Sequence, residues 1–207
     1  SIETTITSIL SNYFINIYCG YDFIVINDLD NQLIITKNID SSTYSAETII
    51  LSDIIIDLVC GIDYIIFISE TKLYGIGNTI LSSWNLTLTA VVSSLYEITP
   101  TVFNVKNIIK ISGNHNNILF LNKNNQIYGA GYNTDYKMGL SNSGTIYNIT
   151  PIILLKFNNN KIKDIFCGNN YSIFLTNDNE IYGTGINSSN QLDSTGNNYL
   201  SFTYLQT

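Results

Sequence analysis

Charge is scarce in this chain. Only 12% of its 207 residues are charged, and nine lysines and arginines face sixteen aspartates and glutamates, for a formal charge of -7. Binding to a phosphate backbone draws on clustered cations that release counterions, so this balance argues against direct nucleic-acid binding. An acidic surface suits a basic protein partner, or simply keeps the chain in solution. Long apolar runs are absent too: Ile54 to Ile56 and Ile65 to Ile68 are typical, and none approaches the length that crosses a bilayer. No membrane association is expected. Ser1 to Leu10 lacks the basic and apolar regions of a secretion signal. The absence of an initiator methionine implies processing or trimming. With two prolines and abundant Ile and Asn, the composition has the bias of an AT-rich genome.

Cysteine is also sparse, and its three positions are better explained by periodicity than by chemistry. One pattern recurs four times: a β-branched run ending in Gly, a second apolar run, a polar turn and a third run. The anchoring glycines are Gly20, Gly61, Gly113 and Gly168, with Cys19, Cys60 and Cys167 immediately before three of them and Ser112 before the other. A small buried residue is expected at that place, which cysteine fills as a compact hydrophobe. The odd count and the lack of Cys-x-x-Cys spacing argue against disulfides and zinc, and reduced cysteines suit an intracellular protein, cytoplasmic or nuclear.

The third runs carry Gly-x-Gly pairs, at Gly75 and Gly77, Gly129 and Gly131, and Gly183 and Gly185; the first copy has Leu33-Ile34-Ile35-Thr36 instead. Residues i and i+2 share a strand face, so each pair strips one face and lets a neighbour approach. Outer segments follow near residues 45–51, 99–105, 150–156 and 199–206, with a further one near 2–10. Four short strands per unit with no sustained helical period predict an all-β fold, a repeat β-propeller of four blades' worth. The repeat cores span 15–38, 56–78, 108–133 and 162–187.

Two stretches carry a family likeness: Tyr128-Gly129-Ala130-Gly131-Tyr132-Asn133 with Lys137-Met138-Gly139-Leu140, and Tyr182-Gly183-Thr184-Gly185-Ile186-Asn187 with Asn190-Gln191-Leu192-Asp193. They resemble the repeat of the regulator of chromosome condensation family. The resemblance implies a seven-bladed propeller of roughly 50 residues per blade, which this chain cannot complete alone. Either the chain is a segment of a longer protein, or an open arc is completed by missing blades or self-association; we favour the first.

Other motifs have structural readings. The Gly-x-Gly pairs lie inside strands and lack the third glycine and following helix of a dinucleotide loop. Asp28-x-Asp30 and Asn177-Asp178-Asn179-Glu180 lie where hairpin turns belong and lack the rest of a calcium loop. His115, the sole histidine, is two residues beyond Gly113, where the other copies have Asp22, Asp63 and Asn170. A turn residue, not a general base, is expected there. No cofactor and no catalytic residue are expected.

What varies between copies is the set of loops after the third strands, and recognition on rigid scaffolds usually resides in such loops. The candidate contact residues are Trp84, Tyr132, Asn133, Asp135, Tyr136, Asn187, Asn190 and Gln191. The expected function is a protein-interaction module or scaffold. The family resemblance also implies guanine-nucleotide exchange on a small GTPase as an alternative, although no segment matches an exchange wedge. A third alternative is a part of a larger ligase or structural assembly.

Overall fold

In a computed structural model, the sequence forms four four-stranded antiparallel sheets, each from four consecutive strands. The structure describes residues 14–21, 23–30, 32–40, 43–62, 64–77, 95–154 and 161–205. Blade 1 comprises β1 (Phe14–Cys19), β2 (Phe23–Asp28), β3 (Gln32–Asp40) and β4 (Thr43–Ile50). Blade 2 comprises β5 (Ile55–Cys60), β6 (Tyr64–Ser69), β7 (Leu73–Gly77) and β8 (Tyr96–Ile98). Blade 3 comprises β9 (Ile108–Asn114), β10 (Asn117–Asn122), β11 (Ile127–Tyr132) and β12 (Thr145–Ile152). Blade 4 comprises β13 (Ile162–Cys167), β14 (Tyr171–Thr176), β15 (Ile181–Gly185) and β16 (Tyr199–Tyr204). Among the described residues there is no α-helix, and only two single 3-10 turns, Val105–Asn107 and Thr134–Tyr136.

The first strand of each blade is the inner one: β5 lies against β9, and β9 against β13. Blades stack face to face, so their middle strands are covered on both sides, and β6 and β10 are buried along their whole length. Between blades 3 and 4, Leu119, Leu121, Ile127 and Met138 interlock with Ile165, Phe174, Tyr182 and Phe202. Each such side chain is worth about 1.5–3 kcal/mol when fully buried. Phe67 on Tyr74 and Phe174 on Tyr182 stack across neighbouring strands, at 5.0 and 4.7 Å between ring centroids.

A second device recurs at the end of the second strand. Asp28, Ser69, Asn122 and Thr176 are all buried. Each accepts one or two backbone N–H groups of the turn that follows, as Asn122 Oδ1 does from Asn124 and Gln126 and Ser69 Oγ from Thr71 and Lys72. Any side chain with an oxygen acceptor does this work, so four different residue types occupy one structural place.

Several expected positions differ. The outer strand of blade 2 is Tyr96–Ile98, ahead of the expected 99–105. Beyond Pro100 the chain bends, Asn104 caps the 3-10 turn, and Phe103 packs on Phe120 and Tyr128, so this segment plugs the joint between blades instead of adding a strand. In blade 3 the outer strand begins at Thr145, and Pro151 pairs with Tyr128 on the sheet's outermost strand, where its missing N–H costs no ladder bond. The expected segment near 2–10 lies outside the described residues.

The third copy is also one residue out of phase. Paired strands align Leu58 with Ile111 and Ile165, because their partners Phe67, Phe120 and Phe174 are equivalent. Gly113 therefore takes the place of Cys60 and Cys167, Asn114 that of the anchoring glycine, and Ser112 that of Val59 and Phe166. Elsewhere the anchor must be glycine because an aromatic ring crosses it: a Cβ would lie 1.9 Å from the Tyr64 ring at Gly61, and 2.5 Å from the Tyr171 ring at Gly168. In blade 3 the aromatic is replaced by Asn117, so the glycine is no longer required.

Candidate protein-interaction face

Antiparallel order brings the hairpins between first and second strands to the same end of the blades as the loops after the third strands. The face they form carries every described candidate contact residue. Trp84 and the loop from Asn78 to Asn85 lie outside the described residues.

The glycine pairs explain how the loops attach. The second glycine of each pair has a left-handed φ, +113° at Gly77, +105° at Gly131 and +107° at Gly185. A Cβ at Gly131 would lie 2.2 Å from the Asn116 carbonyl oxygen, and one at Gly185 2.4 Å from that of Asn170. Those carbonyls accept the N–H groups of Tyr132 and Ile186, clamping each loop onto its own inner hairpin. The first glycine makes room for the loop's return: Met138 sits against Gly129, and Leu192 against Gly183. Blade 1 lacks the pair because β3 and β4 form one long hairpin with no such loop, and Ile35 fills the space.

Asn133 and Asn187 are fully buried and organise these loops. The Asn133 amide donates to the Leu140 and Asn142 carbonyls, and its Oδ1 accepts the Met138 N–H at 2.9 Å. Asn187 does the same with Asp193 and Leu192. Neither can touch a partner, which corrects their reading as contact residues. Tyr136 and Tyr132 are half-buried. The Tyr136 carbonyl accepts the Thr184 hydroxyl of blade 4 at 3.0 Å.

Lys137 strengthens that bridge. Although buried, its ammonium reaches Asn116 Oδ1 at 2.9 Å and the Asn169 carbonyl of the next blade at 3.2 Å. Loss of hydration pulls its pKa below the usual lysine value. The loop after β11 is thus a clasp between two blades as well as a surface. Gln191, in the same repeat place on blade 4, is exposed.

In the loop of blade 4, the Asp193 carboxylate accepts hydroxyls from Tyr199 and Thr195, in that order of effect, which hold its pKa at about 2. This is below the ordinary value of 3.8, so the carboxylate's support is present above the ordinary value and is lost as pH falls through about 2. The Tyr199 ring resonances in an NMR titration are expected to move with a midpoint near 2; a midpoint near 4 would contradict the bond.

The hairpin apices on this face, Tyr21, Ile62, His115 and Asn169, are equivalent by register. His115 therefore aligns with Ile62 and Asn169, not with Asn170, whose equivalent is Asn116; Asp22 and Asp63 lie outside the described residues. His115 is exposed, has a left-handed φ of +39°, and gives its carbonyl to the Ile62 N–H of blade 2. Tyr21 is 81% exposed. Between these apices lies a recess of about 210 Å³ lined by Tyr21, Ile62, His115 and the thiol positions Cys19 and Cys60.

The thiols do not form a reactive centre. Burial pushes Cys60 up to about 12 and Cys167 up to about 11, so both stay protonated. Cys167 instead donates to the Ser112 carbonyl of blade 3. Cys19 is exposed, against the expectation of a buried position, since no blade lies ahead of it among the described residues. Among the described residues no three ligating side chains converge on a metal position. Nor is any helix there long and apolar enough to cross a membrane.

Comparison with known proteins agrees with this architecture. The regulator of chromosome condensation (RCC1) repeat family matches residues 124–175 and, in a second form, 162–191. Human WBSCR16 superposes with a TM-score of 0.72 at 14% identity, over 94% of this chain and 55% of that one. Prp20p from Saccharomyces cerevisiae, described with its binding to Gsp1p and histones, gives 0.70 at 16% identity over 99% and 54%. Yeast RCC1 (Prp20) bound to Kap60 gives 0.70 at 16% over 93% and 49%. The chain spans about half the length of these solved chains.

Proposed function

We propose that this chain, which carries regulator of chromosome condensation repeats on an arc of propeller blades, is a non-enzymatic protein-interaction module. One observation carries the reading: the buried signature residues Asn133, Lys137 and Asn187 spend their polar groups inside the scaffold, while exposed side chains of mixed character crown one face. Tyr21, His115, Asp135, Asn190 and Gln191 are exposed there. Tyr21 offers an aromatic anchor, the usual centre of a protein contact. Asp135, with the chain's net charge of -7, favours a basic partner. The likeness to Prp20p, whose reported binding includes histones, accords with that charge preference.

The test is affinity capture with a face variant, Tyr21→Ala, Asp135→Gly and Asn190→Gly. Glycine is chosen at the last two because their φ values are +66° and +57°. Partners held by the unmodified chain are expected to be lost by the variant at unchanged stability; equal recovery would overturn the reading.

Guanine-nucleotide exchange on a small GTPase, implied by the family resemblance of the repeats, is the second reading. Its assay is release of a fluorescent guanine nucleotide from the GTPase at micromolar chain. The scaffold reading expects no acceleration.

A further inference from the structure

The chain has no arginine, and four of its nine lysines gather at one place. The end of the blades opposite the loop face is built from the turns between second and third strands and from the starts of the first strands. Lys106 stands there in the 3-10 turn before β9, Lys123 in the turn after β10, and Lys161 and Lys163 at the start of β13. Two hydrogen bonds hold these segments side by side. The Lys123 N–H donates to the Asn107 carbonyl at 2.9 Å, and the Ile162 N–H of blade 4 donates to Asn125 Oδ1 of blade 3 at 3.1 Å. All four lysines are exposed.

Their charge is only partly offset. Among the described residues the ion pairs are Lys72 with Glu97 and Lys110 with Asp164, so Asp164 is already engaged. Glu180 accepts the Tyr182 hydroxyl at 3.3 Å, which leaves Asp178 as the one exposed carboxylate described at this end of blades 3 and 4. Five lysines there face three carboxylates, in a chain whose formal charge is -7. Like charges gathered on one patch repel one another, and an anionic ligand relieves that repulsion.

We propose that this end of blades 3 and 4 binds an acidic peptide segment of a partner protein. The patch lies at an internal joint of the arc, between two described blades. Lysines are compact point charges, suited to carboxylates; the planar fork that grips phosphate in two places belongs to arginine. The side chains among them are Asn107, Asn124 and Asn125, and none offers a ring on which a nucleic-acid base stacks. A long polyanion would also run beyond the patch onto a chain of net negative charge, whereas a short acidic segment meets only the lysines. The proposal is independent of what the loop face binds.

The test is fluorescence anisotropy of a fluorescein-labelled oligoglutamate peptide titrated with the 207-residue chain at low ionic strength. Saturable binding that weakens with added salt is expected. Lys106→Glu and Lys163→Glu are each expected to weaken it about fivefold. Lys72→Glu, the same charge change on blade 2, and the loop-face variant leave it within about twofold. Should a glutamate variant unfold by circular dichroism, Lys123→Gln with Lys161→Gln takes its place. Absence of saturable binding, or equal weakening by Lys72→Glu, would overturn the proposal. Displacement of the peptide by oligothymidylate at matched charge would overturn it too, and would assign the patch to nucleic acid.

Discussion

Gly131→Ala is expected to lower stability by about 4 kcal/mol, close to the largest effect of any single substitution in a domain of this size. Two costs combine. The residue's φ of +105° lies where an L side chain is strained by about 1–3 kcal/mol. Its new Cβ would also meet backbone, the Asn116 carbonyl oxygen at 2.2 Å and Asn117 Cα at 2.8 Å, and neither can rotate away. Relief requires separating the inner hairpin from β11, which breaks the bond from the Tyr132 N–H to the Asn116 carbonyl. Gly129→Ala supplies the internal contrast. Its Cβ meets only side-chain ends, of Ile152, Leu119 and Met138, at 3.1–3.2 Å. A cost of about 1 kcal/mol is expected there, within reach of small rotamer shifts. Urea unfolding at equilibrium measures both; equal costs would contradict the assignment of different duties to the two glycines.

Asn133→Ala is expected to cost about 3 kcal/mol. It deletes hydrogen bonds to two carbonyls and the Met138 N–H, in a position with no exposed surface. Each buried group left without a partner costs about 1–3 kcal/mol, partly recovered as water enters the loop. The loss extends beyond the loop, because Met138 and Lys137 would be displaced from the joint with blade 4. A fall in Tm of about 6–12 °C corresponds to this change in a chain of this length. Asn133→Asp is expected to be at least as damaging, since it keeps the acceptor for Met138 but turns a carboxylate oxygen toward two carbonyls. A small effect for Asn133→Ala would show that the loop is held by apolar contacts alone.

The repeat was legible because it depends on patterns a sequence displays directly: glycines at fixed offsets, apolar runs of strand length, and Asn or Asp in turns. The third copy misled by one residue. Gly113 and Asn114 stand side by side, and only strand pairing shows that Asn114 holds the anchor place while Asn117 replaces the aromatic ring. The turn-capping series Asp28, Ser69, Asn122 and Thr176 escaped because hydrogen-bond geometry is shared where residue identity is not. Asn133 and Asn187 looked like loop-surface residues since they follow the strands in variable segments. Their equal spacing from the glycine pair and from Met138 or Leu192 was the available sign of a structural duty. Loop length could not show that the segment after β11 also grips its neighbour through Lys137, because that contact spans 32 residues.

Labour is divided: the buried signature residues hold the loops and, through Lys137, the next blade, and the tips of the face are left for recognition. Side-by-side urea unfolding of Asn133→Ala and of the combined Tyr21→Ala, Asp135→Gly, Asn190→Gly variant tests that division most directly. The account predicts a loss of about 3 kcal/mol for the first and a change within about 0.5 kcal/mol for the second, as for surface sites. Equal losses, or a larger loss from the tip variant, would contradict it.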